Sequence, residues 1–217
     1  MSDSSFDRAR RDREVMGGDG AVLSQELRRA RAAGAKGHRV ILVEGASDLR
    51  ALAALGRRLD RDLATEGVAI VATTGVTNLD RFLHILGPPG YNVGLAGLSD
   101  QPEAGELRRA LTSAGLTATT DSVSDLEAVG FFVCVRDLED ELVRALGAEA
   151  MVDLIEAQGH LRRFHSFQNQ PAQRHKTVEA QIRRWLGNHK IRYAPLMVDA
   201  LDIDAVPRPL VGVLNHI

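Results

Sequence analysis

Apolar residues along this chain follow two rhythms that take turns. Four short stretches, 39–43, 68–72, 93–98 and 131–135, are made of Val, Ile, Leu, Ala and Phe apart from Arg39, Gly94, Gly97 and Cys134, as in strands buried on both faces. Between them, leucines recur at helical spacing. The clearest case is 47–65, with Leu49, Leu52, Leu55, Leu59 and Leu63; further helices are expected at about 20–35, 78–86, 103–114, 124–129 and from 137 onward. Strand alternating with helix implies an α/β fold, with a mostly parallel four-stranded sheet flanked by helices. From about residue 147 the pattern is wholly helical, through 149–158, 177–187, 190–202 and 206–217. Residues 1–19 show no apolar period and read as a flexible tail. The expected organisation is therefore a tail at 1–19, an α/β domain with a leading helix at 20–146, and a helical C-terminal extension packed on it at 147–217.

Composition narrows the class. With 44% hydrophobic and 26% charged residues among 217, the chain is built like a globular protein, and its core must rest on aliphatic side chains because only 4% are aromatic. No apolar run reaches the length of a membrane span, and the charged N-terminus has no apolar signal region, so a cytoplasmic location is expected. One cysteine, Cys134, rules out an intrachain disulfide, and its apolar neighbours read as a buried, inert thiol. The net charge of −2 conceals a polar division. Residues 1–158 hold 18 Lys/Arg against 25 Asp/Glu, whereas 159–192 hold eight Lys/Arg against the single Glu179. Such a basic segment is either a solvated helical face or a phosphate-binding surface, with Arg174, Lys176, Arg183, Arg184 and Arg192 as its candidate contacts.

The acidic residues are placed where a parallel sheet binds ligands, beyond the carboxyl ends of its strands. Glu44 ends the first strand, with Asp48 in the next helical turn. Asp100 follows the third, and Asp137, Glu139, Asp140 and Glu141 follow the fourth. Singly, Asp48, Asp100 and the 137–141 run also suit helix starts. Together, converging carboxylates repel one another unless a cation neutralises them, and oxygen-only donors favour Mg²⁺ or Mn²⁺ over zinc.

The strings around these acids are similar to a known family. Val43-Glu44-Gly45-Ala46-Ser47-Asp48 resembles the opening of Toprim domains, a strand followed by Glu-Gly-x-x-Asp. Thr74-Gly75-Val76-Thr77-Asn78 resembles the Gly-x-x-Asn turn after the second strand, and Leu98-Ser99-Asp100 stands where Asp-x-Asp begins. Val135-Arg136-Asp137-Leu138-Glu139 resembles the later glutamate motif of the overcoming-lysogenization-defect (OLD) type. One position departs: the second Asp of Asp-x-Asp is Pro102, with Glu103 beside it as a possible substitute. The resemblance implies a Toprim, Rossmann-like fold and a metal-dependent phosphodiesterase that cleaves or nicks DNA. An RNA-processing nuclease, a nucleotidyl transferase, or a non-catalytic binding module of the same fold are the alternatives. It implies two ions, the first held by Glu44, Asp48 and Asp100, the second by Glu139 with Glu103 or Asp137. It also implies a catalytic Lys in the helical region, with Lys190 first and Lys176 second among only three lysines. DNA is the expected partner and RNA the alternative. No Gly-x4-Gly-Lys-[Ser/Thr] string occurs, so ATP dependence would require a separate ATPase chain. A homodimer is a further open partnership.

Overall fold

The computed structural model describes residues 4–116 and 122–217, with side chains from residue 20 onward. Four strands, β1 (Arg39–Val43), β2 (Val68–Ala72), β3 (Leu95–Asp100) and β4 (Phe131–Cys134), form one all-parallel sheet in the order β2-β1-β3-β4. The chain leaves β1 in one direction to β2 and then crosses back to β3, so the topological switch lies between β1 and β3. Glu44 and Asp100 stand at the carboxyl ends of those two strands, where parallel sheets open a crevice.

Each face of the sheet has its own core, because successive side chains of a strand point to opposite sides. Val40 and Leu42 of β1 pack with Phe82, Leu83, Leu107 and Leu111, from α3 (Leu79–Leu86) and α4 (Ala104–Ser113), and with Ala30 and Ala33 of α1 (Ser4–Ala35). Ile41 and Val43 pack on the other side with α2 (Ala46–Arg58), α6 (Leu138–Ala157), α8 (Val178–Leu186), α9 (Lys190–Ala200) and α10 (Arg208–His216). Two shorter helices complete the chain, α5 (Val123–Ala128) before β4 and α7 (Leu161–Gln168) after α6. The second core joins residues from both sides of position 147, so the C-terminal helices cover one face of the sheet.

Several boundaries differ from the sequence reading for local reasons. The first helix begins at Ser4, not Gly20: Arg, Ala, Glu and Met sustain helical backbone without an apolar stripe. The second stops at Arg58, where Asp60 takes a left-handed conformation (φ 54°) and the amide of Arg61 turns back to the carbonyl of Gly56 at 2.9 Å. Leu63 is thereby folded over Gly56 and keeps the apolar spacing that mimicked a longer helix. The third strand is displaced by two residues, since Ser99 and Asp100 are drawn into the ladder opposite Val133 and Cys134. A helix at 161–168 was not expected from the pattern. The helix from Leu138 bends at Gly147, whose φ of 81° suits glycine.

Gly97, in the centre of the sheet, is required by close approach. A Cβ there would lie 2.6 Å from the Phe131 ring and 2.9 Å from the Leu42 carbonyl oxygen. Gly97→Ala should therefore force β3 away from a neighbour and destabilise the fold by about 1–3 kcal/mol, the usual cost of overpacking. Urea denaturation of both proteins measures it, and an unchanged midpoint would mean that the strands part freely.

Candidate metal and catalytic cleft

The turn after β1 supplies two acids. The amide of Gly45 donates to Asp48 Oδ2 at 2.8 Å, which folds Asp48 back towards the strand end at the start of α2. The turn after β2 is tied to the same place. Thr73 donates its amide to the Val43 carbonyl at 2.8 Å, and the Gly75 amide donates to the Glu44 carbonyl at 3.2 Å. Thr74 is left-handed (φ 59°) and Asn78 Nδ2 holds its carbonyl at 3.1 Å. Asp100 closes β3 and is followed by a 3₁₀ turn over Gln101–Glu103, in which Pro102 provides no amide hydrogen.

The acidic run after β4 divides into separate tasks. Arg136, with φ 143°, occupies a backbone region normally reserved for glycine, so the turn is held by its neighbours. Glu141 accepts the Val135 amide at 2.8 Å and Asp137 Oδ1 accepts the Asp140 amide at 2.7 Å, capping α6. Asp140 is buried and gathers three guanidiniums, Arg144 at 3.0 Å, Arg183 at 3.1 Å and Arg136 at 3.5 Å. Only Glu139 turns into the space beyond the strands. It is 9% exposed, stands near Ser47, and its Oε1 has no partner.

Five of the chemically active side chains named from sequence line one cleft of about 600 Å³: Glu44, Asp48, Asp100, Glu139 and Lys190. They come from the turn after β1 and from α2, β3, α6 and α9, and span nearly 150 residues of chain. Thr74, Gly75 and Asn78 form one wall, and Gly20, Val22 and Leu23 of α1 another. Lys190 reaches the cleft because α9 lies along α2. Lys176 is exposed in the segment before α8 and does not line it.

The charges are strongly coupled. Burial, together with Glu139 and Glu44, pushes Asp48 up to about 7, despite the Gly45 amide. Burial and the surrounding Glu44, Asp48, Asp137 and Glu103 push Asp100 up to about 8. Glu103 is raised by burial and by the neighbouring Glu44 carboxylate. Glu139 is raised by burial, with Lys190 opposing. Burial opposes charge on Lys190 too, but Glu139, Asp48, Glu44 and Asp100 outweigh it, so the ammonium is held protonated. Burial also pushes the Cys134 thiol up, which keeps it inert.

Among the described residues, no three Asp, Glu, His or Cys side chains already surround a common point at coordinating range. The donor set nevertheless fits a hard divalent ion: all oxygen, mutually repelling, partly protonated without a counter-charge, and with one buried carboxylate oxygen unpartnered. Glu103 stands with Glu44, outside the residues that line the cleft and away from Glu139. Asp137 is near enough to raise Asp100 while its Oδ1 caps α6.

The basic candidates are dispersed. Arg183 is bound to Asp140, so its charge serves the α6–α8 contact before any phosphate. Arg174 lies against His175 at 3.2 Å, Arg184 is exposed on α8, and Arg192 donates to Gln158 Oε1 at 3.0 Å. Sequence reasoning did not find Ser47 or the α1 wall. Neither carries a charge, and no motif offset marks them. No helix among the described residues is long and apolar enough to cross a membrane.

Comparison with known proteins agrees with this geometry. Residues 37–95 match the family described as overcoming lysogenization defect protein-like, TOPRIM domain. The C-terminal region of the Xanthomonas campestris pv. campestris OLD protein superposes with a TM-score of 0.63 at 24% identity, over 83% of this chain and 91% of that one. The C-terminal region of the Burkholderia pseudomallei OLD protein gives 0.63 at 21% identity, over 82% and 95%. No curated protein matches the sequence. The chain thus carries an OLD-like Toprim match over β1 and β2, up to the start of β3, and has the fold of the C-terminal region of OLD proteins.

Proposed function

We propose that this protein is a divalent-metal-dependent nuclease that hydrolyses or nicks DNA phosphodiesters. One observation carries the reading: four carboxylates and one protonated lysine, from five separate elements, line a single cleft at the carboxyl ends of β1 and β3. Glu44, Asp48 and Asp100 would hold one Mg²⁺ or Mn²⁺, and Glu139, with Asp137 adjoining, a second. When bound, such ions would supply Lewis-acid stabilisation of the attacking and leaving oxygens. The chain's own groups do the positioning. Ser47 orients Glu139, the Gly45 amide fixes Asp48, and Lys190 sets a localised positive charge where a pentavalent phosphorus would gather negative charge.

Water is the nucleophile this cleft favours. Tyr193 is fully buried against His160, and Tyr91 lies at the opposite end of the sheet beside Gly34. Neither can form a covalent link to a strand in the cleft. The test is incubation of supercoiled plasmid, and separately of single-stranded RNA, with Mg²⁺, Mn²⁺ or EDTA. Nicked plasmid with metal and none with EDTA is the expected result. Cleavage of RNA alone would reassign the substrate, and cleavage of neither would leave a binding module.

A further inference from the structure

Beyond Lys190 lies a second hollow, of about 590 Å³, that the cleft does not account for. Lys190 lines both spaces, so they meet at its side chain. The hollow is walled by Arg50, Gln158, His189, Arg192 and the first turn of α9, with Ile191 46% exposed at its rim. The same two helices build both places. α2 gives Asp48 to the cleft and Arg50 to the hollow, and α9 gives Lys190 to both and Arg192 to the hollow alone.

We infer that this hollow seats a backbone phosphate of the substrate strand next to the scissile one, gripped by Arg50 and Arg192. The inference rests on the nuclease reading of the cleft. Three features carry it. Arg50 has no hydrogen-bond or ion-pair partner among the described residues, and Arg192 has only the neutral amide of Gln158. Several arginines elsewhere are matched to acids, as Arg61 is to Glu66, Arg144 and Arg183 to Asp140, and Arg208 to Glu127. No acid lines the hollow, whereas four line the adjoining cleft. A polyanion anchored at a metal in the cleft would be repelled by that acidic wall and drawn past Lys190 into the one adjacent space of opposite sign. A guanidinium can clasp two oxygens of a phosphate at once, and the volume admits a nucleotide. The positive end of α9, whose amides receive no side-chain cap from His189, acts in the same direction.

The experiment measures binding of a short fluorescein-labelled single-stranded DNA in EDTA, across a series of salt concentrations, beside plasmid nicking in Mn²⁺. Arg50→Gln/Arg192→Gln should bind on the order of 10-fold more weakly at low salt. It should lose roughly 1–1.5 from the log–log salt slope, as two lost phosphate contacts on a single strand require. Arg50→Lys/Arg192→Lys should recover the slope, and Mn²⁺ affinity measured by calorimetry should not move. Wild-type and double-Gln slopes that coincide, with plasmid still nicked, would overturn the phosphate seat and leave the nuclease intact. An arginine-dependent slope without nicking would keep the seat and remove the hydrolytic reading. If wild type neither binds nor nicks, both fall.

Discussion

Asp100→Asn should eliminate metal-dependent nicking, with a loss on the order of 10³-fold or more, the scale on which preorganised charge acts in an active site. Asp100 stands at the topological switch and is within electrostatic reach of Glu44, Asp48, Asp137 and Glu103. Its removal deletes a negative charge on which any ion there would depend, and the amide is nearly the same shape. The metal-free protein should respond in the opposite sense. Asp100 has its pKa raised from 3.8 to about 8 on folding, so the folded state holds a proton that the unfolded chain has already released. Its contribution to stability is complete below pH 4 and is lost as pH rises to about 8. Asp48, raised to about 7, adds to the same slope. In EDTA, wild type should therefore melt lower at pH 8 than at pH 5, and Asp100→Asn should flatten the difference. A relief of ~1 kcal/mol would appear as roughly 2–4 °C in Tm for a chain of this size. Mn²⁺ should erase the slope in wild type and not in the variant. Equal nicking by both proteins would place the chemistry elsewhere.

Lys190→Ala should lower the single-turnover rate about 10²-fold, as the loss of one oxyanion-stabilising donor does, while Mn²⁺ affinity changes little. The ammonium is kept protonated by four carboxylates, so it acts as a fixed cation and not as a base. Lys190→Arg should recover only part of the rate, since the planar fork places its charge differently. Lys176→Ala, outside the cleft, should match wild type. A full rate in Lys190→Ala, or its loss in Lys176→Ala, would reverse the assignment of the lysine.

The sheet was legible because parallel strands buried on both faces leave uninterrupted apolar runs. β1 and β2 begin and end where the runs do, while β3 moved because its last two residues are polar and are held by β4. The meeting of Glu44, Asp48, Asp100 and Glu139 was also legible, since strand ends of a parallel sheet share one edge. What stayed hidden depended on tertiary partners. The sequence could not tell which member of Asp137–Glu141 faces the cleft: Asp140 is diverted by three arginines, and Glu141 by a backbone amide. Nor could charge density alone find the phosphate surface. Arg183, in the basic segment, is bound internally, while Arg50, in the acidic half, is free among the described residues.

The ring of His189, the residue before α9, lies flat on Trp185, with centroids 4.4 Å apart and planes 14° from parallel. Trp185 is the sole tryptophan of the chain and lies near the end of α8, just before the turn that leads to Lys190. The emission of an indole is sensitive to the ring stacked on it, so a displacement of His189 would alter it. Trp185 is therefore a built-in optical reporter on the His189 wall of the hollow, and its emission is expected to change when DNA is added if an anion settles beside Lys190.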